Sequence, residues 1–194
     1  MPRAYCTFET ELGFCGIAWS DTAGAVMPAL FRLPEPSRVD MEERFSARCS
    51  QGHAVPPPVI RSVIEMAKRH LGGEPQEFLD IAVDLSEEQP FARRVYAFTR
   101  RVPAGETTTY GELARAAGNP EAARAVGLLM GRNPMPLIIP CHRVLAAGGK
   151  PGGFSAHGGL STKSRILELE GVRLSLPREG AQLELWPVAQ HSAD

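Results

Sequence analysis

A chain of 194 residues that is 43% hydrophobic and 22% charged can bury a core without metal or disulfide support, which excludes the small stapled scaffolds. No apolar run reaches the roughly 18–20 residues of a membrane span, and the start lacks a charged-then-apolar signal pattern, so a cytoplasmic protein with no membrane partner is expected. The net charge of −1 hides an asymmetry: residues 1–90 sum to −6, residues 91–165 to +8 and residues 166–194 to −3, and a basic block of this kind is the electrostatic footprint of a nucleic-acid partner.

In chain order, Ala4 to Ala18 alternates loosely around Glu11-Leu12-Gly13, the pattern of an antiparallel hairpin, and Ala25 to Arg32 supplies another strand. Met41 to Phe45 is helix-like, Pro56-Pro57-Pro58 forces extended chain, and a helix follows from about Val59 to Leu71, stopped by Gly72-Gly73. Leu79, Ile81, Val83 and Leu85 alternate strictly and predict a half-buried strand. This half reads as a small α/β unit, an antiparallel sheet with helices, over residues 1–86.

From Gln89 the character changes, and residues 87–175 read as a second, mainly helical unit. Pro90 opens a helix to about Arg100, with Phe91, Val95 and Phe98 on one face. Thr107-Thr108-Thr109-Tyr110 leads into a helix over 111–117, Gly118-Asn119-Pro120 closes it, and Glu121 to Met130 forms the next. Two short helices joined by a glycine-containing turn have the helix-turn-helix pattern. The second, around Ala122-Ala123-Arg124-Ala125-Val126-Gly127, is nearly all small residues about one arginine. A major-groove reader carries several long polar side chains; this helix suits close approach to a minor groove, with Arg124 able to intrude where a base is extruded for chemistry.

Pro136 and Pro140 bracket Leu137-Ile138-Ile139 as a stiff buried strand, with Cys141 at its exit and His142 and Arg143 beside it. A free thiol has a reference pKa of about 8.5, and an adjacent imidazole or cation raises its thiolate fraction. The other cysteines, Cys6, Cys15 and Cys49, form no Cys-x-x-Cys pair; a site from Cys6, Cys15 and His53 is the one metal grouping the spacing leaves open, and no metal is expected. After Cys141 comes a glycine-dense loop over 148–159, then a helix from Thr162 to Glu170 capped by Gly171; residues 176–194 read as a peripheral strand and loose tail.

Taken in order, Pro103-Ala-Gly-Glu, Thr109-Tyr110-Gly-Glu-Leu-Ala, Ala123-Arg124-Ala-Val-Gly, Asn133-Pro-Met-Pro, Pro140-Cys-His-Arg-Val and Leu167-Glu-Leu-Glu170-Gly resemble the O6-alkylguanine-DNA alkyltransferase family over about residues 90–173. The resemblance implies a winged-helix-like helix-turn-helix in the second unit, and a suicide enzyme that repairs DNA by moving an alkyl group from O6-alkylguanine in double-stranded DNA to Cys141. It implies no cofactor and no obligate protein partner, so a monomer is expected. Arg124 would be the finger that enters the duplex, and Thr109, Tyr110, Ala122, Ala123 and Gly127 would also meet DNA. Tyr110 would assist flipping and bond the guanine, Asn133 would tie the recognition helix to the cysteine segment, and His142 with Glu170 would complete a relay through water to the thiol. Val144, through its carbonyl, and Ser155 would read the base; Met130, Pro136 and Phe154 would line the pocket. Phe154 stands where many members carry tyrosine, and Ala156-His157 lengthens the pocket loop.

Displacement at an sp³ carbon calls for a soft, aligned nucleophile, and a donor near O6 neutralises charge on the departing guanine. The product is a thioether with no carbonyl for water to attack, so the protein acts once. Two alternatives stand beside this reading. One is a lesion-binding protein of the alkyltransferase-like kind, in which the acceptor cysteine is replaced. The other is a thiol hydrolase using Cys141-His142, disfavoured because neighbours on an extended chain point to opposite sides.

Overall fold

The computed structural model describes residues 3–22 and 24–174; the tail expected over 176–194 lies outside them. Three strands, β1 (Ala4–Thr10), β2 (Gly13–Thr22) and β3 (Ala25–Glu35), form an antiparallel meander in the order β1-β2-β3. The predicted hairpin is present in register, with Thr10 opposite Gly13, whose φ of 122° a side chain would strain. The third strand runs three residues beyond the expected Arg32.

Alternation along these strands sends side chains to two faces, and both are covered. Tyr5, Ala18 and Leu30 meet Met41 and Phe45 of α1 (Arg38–Ser46), whose first turn is capped by the Ser37 hydroxyl. A Cβ at position 16 would collide with the Phe45 ring, so glycine there permits that approach. On the opposite face Cys6, Ile17 and Phe31 join the apolar stripe of α2 (Pro58–Leu71), made by Ile60, Val63, Ile64, Ala67 and Leu71. This cluster continues without interruption into the second half through Val95, Val126 and Ile139.

Residues 79–85 are not a strand. Ile81, Val83 and Leu85 pack on the core as the alternation requires while Leu79 is exposed, and among the described residues one backbone bond, Asp84 N–H to the Pro28 carbonyl at 3.0 Å, reaches the sheet. The Arg100 guanidinium takes the carbonyls of Phe78, Leu79 and Ile81 at 2.8, 2.9 and 2.6 Å, meeting with one side chain the acceptors that a strand ladder would have satisfied.

In the second half α3 (Pro90–Thr99) buries Ala92, Val95, Tyr96 and Thr99, a face rotated from the predicted one. Phe91 and Phe98 are half-buried at its edges, under the Arg94 and Arg101 guanidinium groups. Helix α4 (Tyr110–Ala116) begins at a reciprocal capping box between Thr109 and Glu112. The helix predicted from Glu121 divides into a 3-10 turn, Pro120–Ala122, and α5 (Ala123–Gly131). Two-residue strands β4 (Thr108–Thr109) and β5 (Val144–Leu145) pair in parallel, and α6 (Leu160–Leu169) closes the described fold. Among the described residues no helix is long and apolar enough to cross a membrane.

Replacing Arg100 by Met would leave three carbonyls without their donor. Urea unfolding is expected to show a loss of about 1–3 kcal/mol; an unchanged midpoint would mean that the 78–81 segment is held by its apolar contacts alone.

Candidate active site

The segment before the cysteine is a tight turn and not the predicted strand. Asn133 stands at its centre: its amide donates to the Ile139 carbonyl at 2.7 Å and its Oδ1 accepts from Met135 N–H at 3.0 Å. Wrapping around one side chain forces Leu137 into the left-handed region, φ 72°, at a cost of about 1–2 kcal/mol that burial of its side chain offsets. The prolines stiffen this turn, and Phe31 N–H of β3 fastens it to the sheet by donating to the Pro134 carbonyl at 2.9 Å.

Cys141 therefore opens a 3-10 turn, Cys141–Arg143, instead of leaving a strand. The premise that Cys141 and His142 diverge along an extended chain does not hold at this turn. Cys141 lies at a cleft of about 210 Å³ that Met130, Asn133, Pro136, Phe154 and Ser155 also line, whereas Val144, expected in the pocket, is fully buried and not among the lining residues. The sequence gives no hint of the cleft's other wall, where β3 and α1 contribute Arg32, Leu33, Glu35 and Arg44. Tyr110 packs on the glycine loop: a Cβ at Gly152 would come within 2.8 Å of its hydroxyl.

Burial pushes the Cys141 thiol up, and the Asn133 amide, Lys163 and two backbone N–H groups only partly oppose this. The resting thiol is protonated, contrary to the simple expectation from a neighbouring base and cation. Cys6, Cys15 and Cys49 are also raised by burial, so burial does not distinguish Cys141; the cleft does. Burial likewise raises the Tyr110 phenol, with the Cys141 charge adding to it, which keeps its hydroxyl a proton donor.

Arg143 does not face the thiol. It is fully buried, donating through Nε to both Glu170 oxygens at 3.1 Å, through Nη2 to Oε1 at 2.8 Å and through Nη1 to the Val102 carbonyl at 2.6 Å. His142 Nε2 meets the same Oε1 at 2.9 Å, and its buried Nδ1 has no hydrogen-bond partner among the described residues. Burial holds the His142 pKa below its usual value despite Glu170, so the ring is neutral near pH 7 and able to take a proton. Burial penalises the Glu170 charge, but the surrounding donors outweigh it and hold the carboxyl far below the carboxylate range.

The cation that senses Cys141 is Lys163. Its buried ammonium donates at 2.6 Å to the carbonyls of Val144 and Pro151, tying α6 to the loop, and burial lowers its pKa to about 8. The sequence reading passed over Lys163, although a lysine seven residues before Glu170, with Ile166 and Leu167 between, sits in the buried stripe of that helix. The Val144 carbonyl expected to read the base already accepts this ammonium. His70 was also missed: its Nε2 lies 2.9 Å from Glu170 Oε1. His70, His142 and Glu170 have a spacing suited to a cation, but Arg143 already neutralises the carboxylate they would share.

On α5, Arg124 and Ala125 are exposed while Ala123 and Gly127, with Ala122 just before the helix, are half-buried, and a Cβ at Gly127 would meet nothing within 4 Å. Thr109 is occupied as the cap of α4. Arg124 and Thr109 are not among the residues that line the cleft with Cys141.

Glu170→Gln would keep the shape and leave Arg143 buried without its counter-charge, an expected loss of about 3–5 kcal/mol at pH 7. The folded pKa lies below the ordinary 4.5, so the unfolded chain is protonated first and this stability, full above about pH 5, is lost as pH falls. Urea titrations should show the difference between wild type and variant narrowing below pH 4.5 by up to about 1.4 kcal/mol per pH unit; a constant difference would contradict the proposed ionisation of Glu170.

Residues 90–172 match the family described as 6-O-methylguanine DNA methyltransferase, DNA binding domain. Over 170 residues the chain is 42% identical to a methylated-DNA–protein-cysteine methyltransferase of Mycobacterium tuberculosis, covering 87% of this chain and 93% of that one. It is 36% identical to the enzyme of the same name from Mycolicibacterium paratuberculosis over 86% and 91% of the two chains. The crystal structure of Mycobacterium tuberculosis OGT in complex with DNA superimposes with a TM-score of 0.66 at 32% identity, covering 87% and 93%. An O6-methylguanine-DNA methyltransferase from Pyrococcus kodakaraensis, 24% identical, shares the fold with a TM-score of 0.63 over 88% and 99%. With the thiol cleft and its His142–Glu170 pair, these likenesses place the chain in the methylated-DNA–protein-cysteine methyltransferase family.

Proposed function

We propose that the protein repairs double-stranded DNA by direct reversal, taking the alkyl group of an extruded O6-alkylguanine onto Cys141. The observation that carries this reading is a buried thiol at a cleft of about 210 Å³, followed in the chain by an imidazole that a buried carboxylate holds through Nε2, leaving Nδ1 open. Helices α4 and α5 serve as a winged-helix-like helix-turn-helix entering the minor groove; Arg124 fills the space left by the base, with Thr109, Tyr110, Ala122, Ala123 and Gly127 along the DNA.

The chemistry follows from the charges. His142 Nδ1 takes the thiol proton through a water, and the imidazolium that forms is stabilised by Glu170. The Sγ–C bond forms as the C–O6 bond breaks, and the guanine leaves with its electron pair, its charge met by a hydrogen bond from the Tyr110 hydroxyl. The proton that left the thiol for His142 is released to water as the guanine takes one up, so no net charge remains, while Ser155 and the second lone pair of the Val144 carbonyl orient the base. Asn133 holds the cysteine turn against α5, and Met130, Pro136 and Phe154 receive the alkyl group. Because burial keeps the thiol protonated at rest, transfer depends on the base His142, and the resting thiol is poorly reactive toward adventitious electrophiles. S-alkylcysteine has no route back, so each molecule works once, without cofactor, as a cytoplasmic monomer. The alkyltransferase-like alternative is disfavoured by the retained Cys141.

Duplex DNA labelled on the methyl group of O6-methylguanine should deliver close to one equivalent of label to the Cys141 peptide, and none to the Cys141→Ala variant. Repeated turnover, or tight binding with no label leaving DNA, would overturn the reading. Arg124→Ala is expected to slow repair of duplex DNA at least tenfold more than reaction with free O6-benzylguanine; equal slowing of both would remove Arg124 from base extrusion.

A further inference from the structure

We infer that His70, in the last turn of α2, is a positioning residue for the alkyl-transfer site, making the N-terminal sheet unit part of the proton relay; this rests on the Cys141–His142–Glu170 reading above. His70 is 1% exposed, and its Nδ1 accepts the Gln76 backbone N–H at 3.0 Å. That bond places the proton of the neutral ring on Nε2, the atom 2.9 Å from Glu170 Oε1. Its ring packs on Phe78 at 5.8 Å and edge-on against His142 at 6.3 Å, centroid to centroid, so it is held from both sides.

The need for such a group lies in how Glu170 is shared. Arg143 reaches both carboxylate oxygens, whereas His142 reaches only Oε1. Left to these two, the carboxylate gains by turning toward a symmetric two-pronged pairing with the guanidinium and away from the imidazole. A second imidazole on the His142 side opposes that rotation and keeps Oε1 where the developing imidazolium requires it. With four N–H groups around one oxygen not all can align, and the His70 N–H lies off the line to Oε1; it acts through its N–H dipole at close range and not as the primary bond. Residues just beyond α2 reinforce the backing: Glu77 accepts from Ala104 N–H at 2.7 Å and lies 3.6 Å from Arg143 Nη1.

The test compares two amides in the full-length protein. In His70→Gln the amide nitrogen occupies about the place of Nε2, retaining the donor to Glu170. In His70→Asn the side-chain oxygen occupies about the place of Nδ1, retaining only the acceptor for Gln76. Single-turnover transfer from O6-methylguanine duplex DNA should fall about tenfold or more in His70→Asn and stay within about threefold of wild type in His70→Gln, with DNA dissociation constants unchanged in both. A purely structural role predicts the reverse order or equal loss, and either result would overturn the inference. Nitrogen-15 spectra of the wild-type imidazoles, which require no variant to fold, should show His70 as the Nε2–H tautomer; the Nδ1–H form would also overturn it. If wild-type protein itself transfers no label to Cys141, the functional reading fails; if wild type transfers and the two variants do not separate, only the role of His70 fails.

Discussion

A carboxylate removed from water has to be met by donors from every direction, and Glu170 imposes that requirement on this chain. Its side chain is fully buried at the C-terminal end of α6, and the groups that answer it come from distant segments: Arg143 and His142 from the turn after the cysteine, His70 from α2. Arg143 in turn engages the Val102 carbonyl and approaches Glu77. Burying an ion pair costs several kcal/mol in desolvation per ion before contacts return anything, so the arrangement is of doubtful worth as a stabiliser. Its consequence is geometric, because it holds the imidazole of the residue after Cys141 in one orientation, with Nε2 on Glu170 and Nδ1 left over.

The thiol itself is governed by a competition that burial wins. Lys163, Asn133 and local N–H groups favour the thiolate, yet the surroundings hold Cys141 protonated. A permanently ionised cysteine would react with any passing electrophile, whereas a thiol that burial holds protonated is the less reactive form and needs a base before it can act. The cost is that the imidazole must remain neutral and oriented, which is what burial of His142 and its tie to Glu170 accomplish.

Much of the fold was legible locally. The hairpin, α2 after the proline run, and α4 after the threonines follow from alternation, helical spacing and turn chemistry, all of which act over a few residues. The failures share one cause. Residues 79–85 alternate like a strand, but Arg100 answered their carbonyls; residues 137–139 read as a strand between prolines, but Asn133 curled them into a turn. In both places a side chain from elsewhere in the sequence supplied hydrogen bonds that local patterning assigns to the backbone.

The order of short motifs from Thr109 to Glu170 was enough to indicate the family, the nucleophile, its base and the carboxylate behind it, because each of these lies in a segment whose spacing is set by local geometry. Arg143 looked like the cation of the thiol until the turn aimed it at Glu170 and left that place to Lys163. His70, Arg32 and Arg44 carry no motif at all, and only the packing of the N-terminal sheet unit against the second half brings them to the site. Local chemistry is written in short runs of residues; which buried charge meets which partner depends on contacts tens of residues apart, and those exist only once the core has closed.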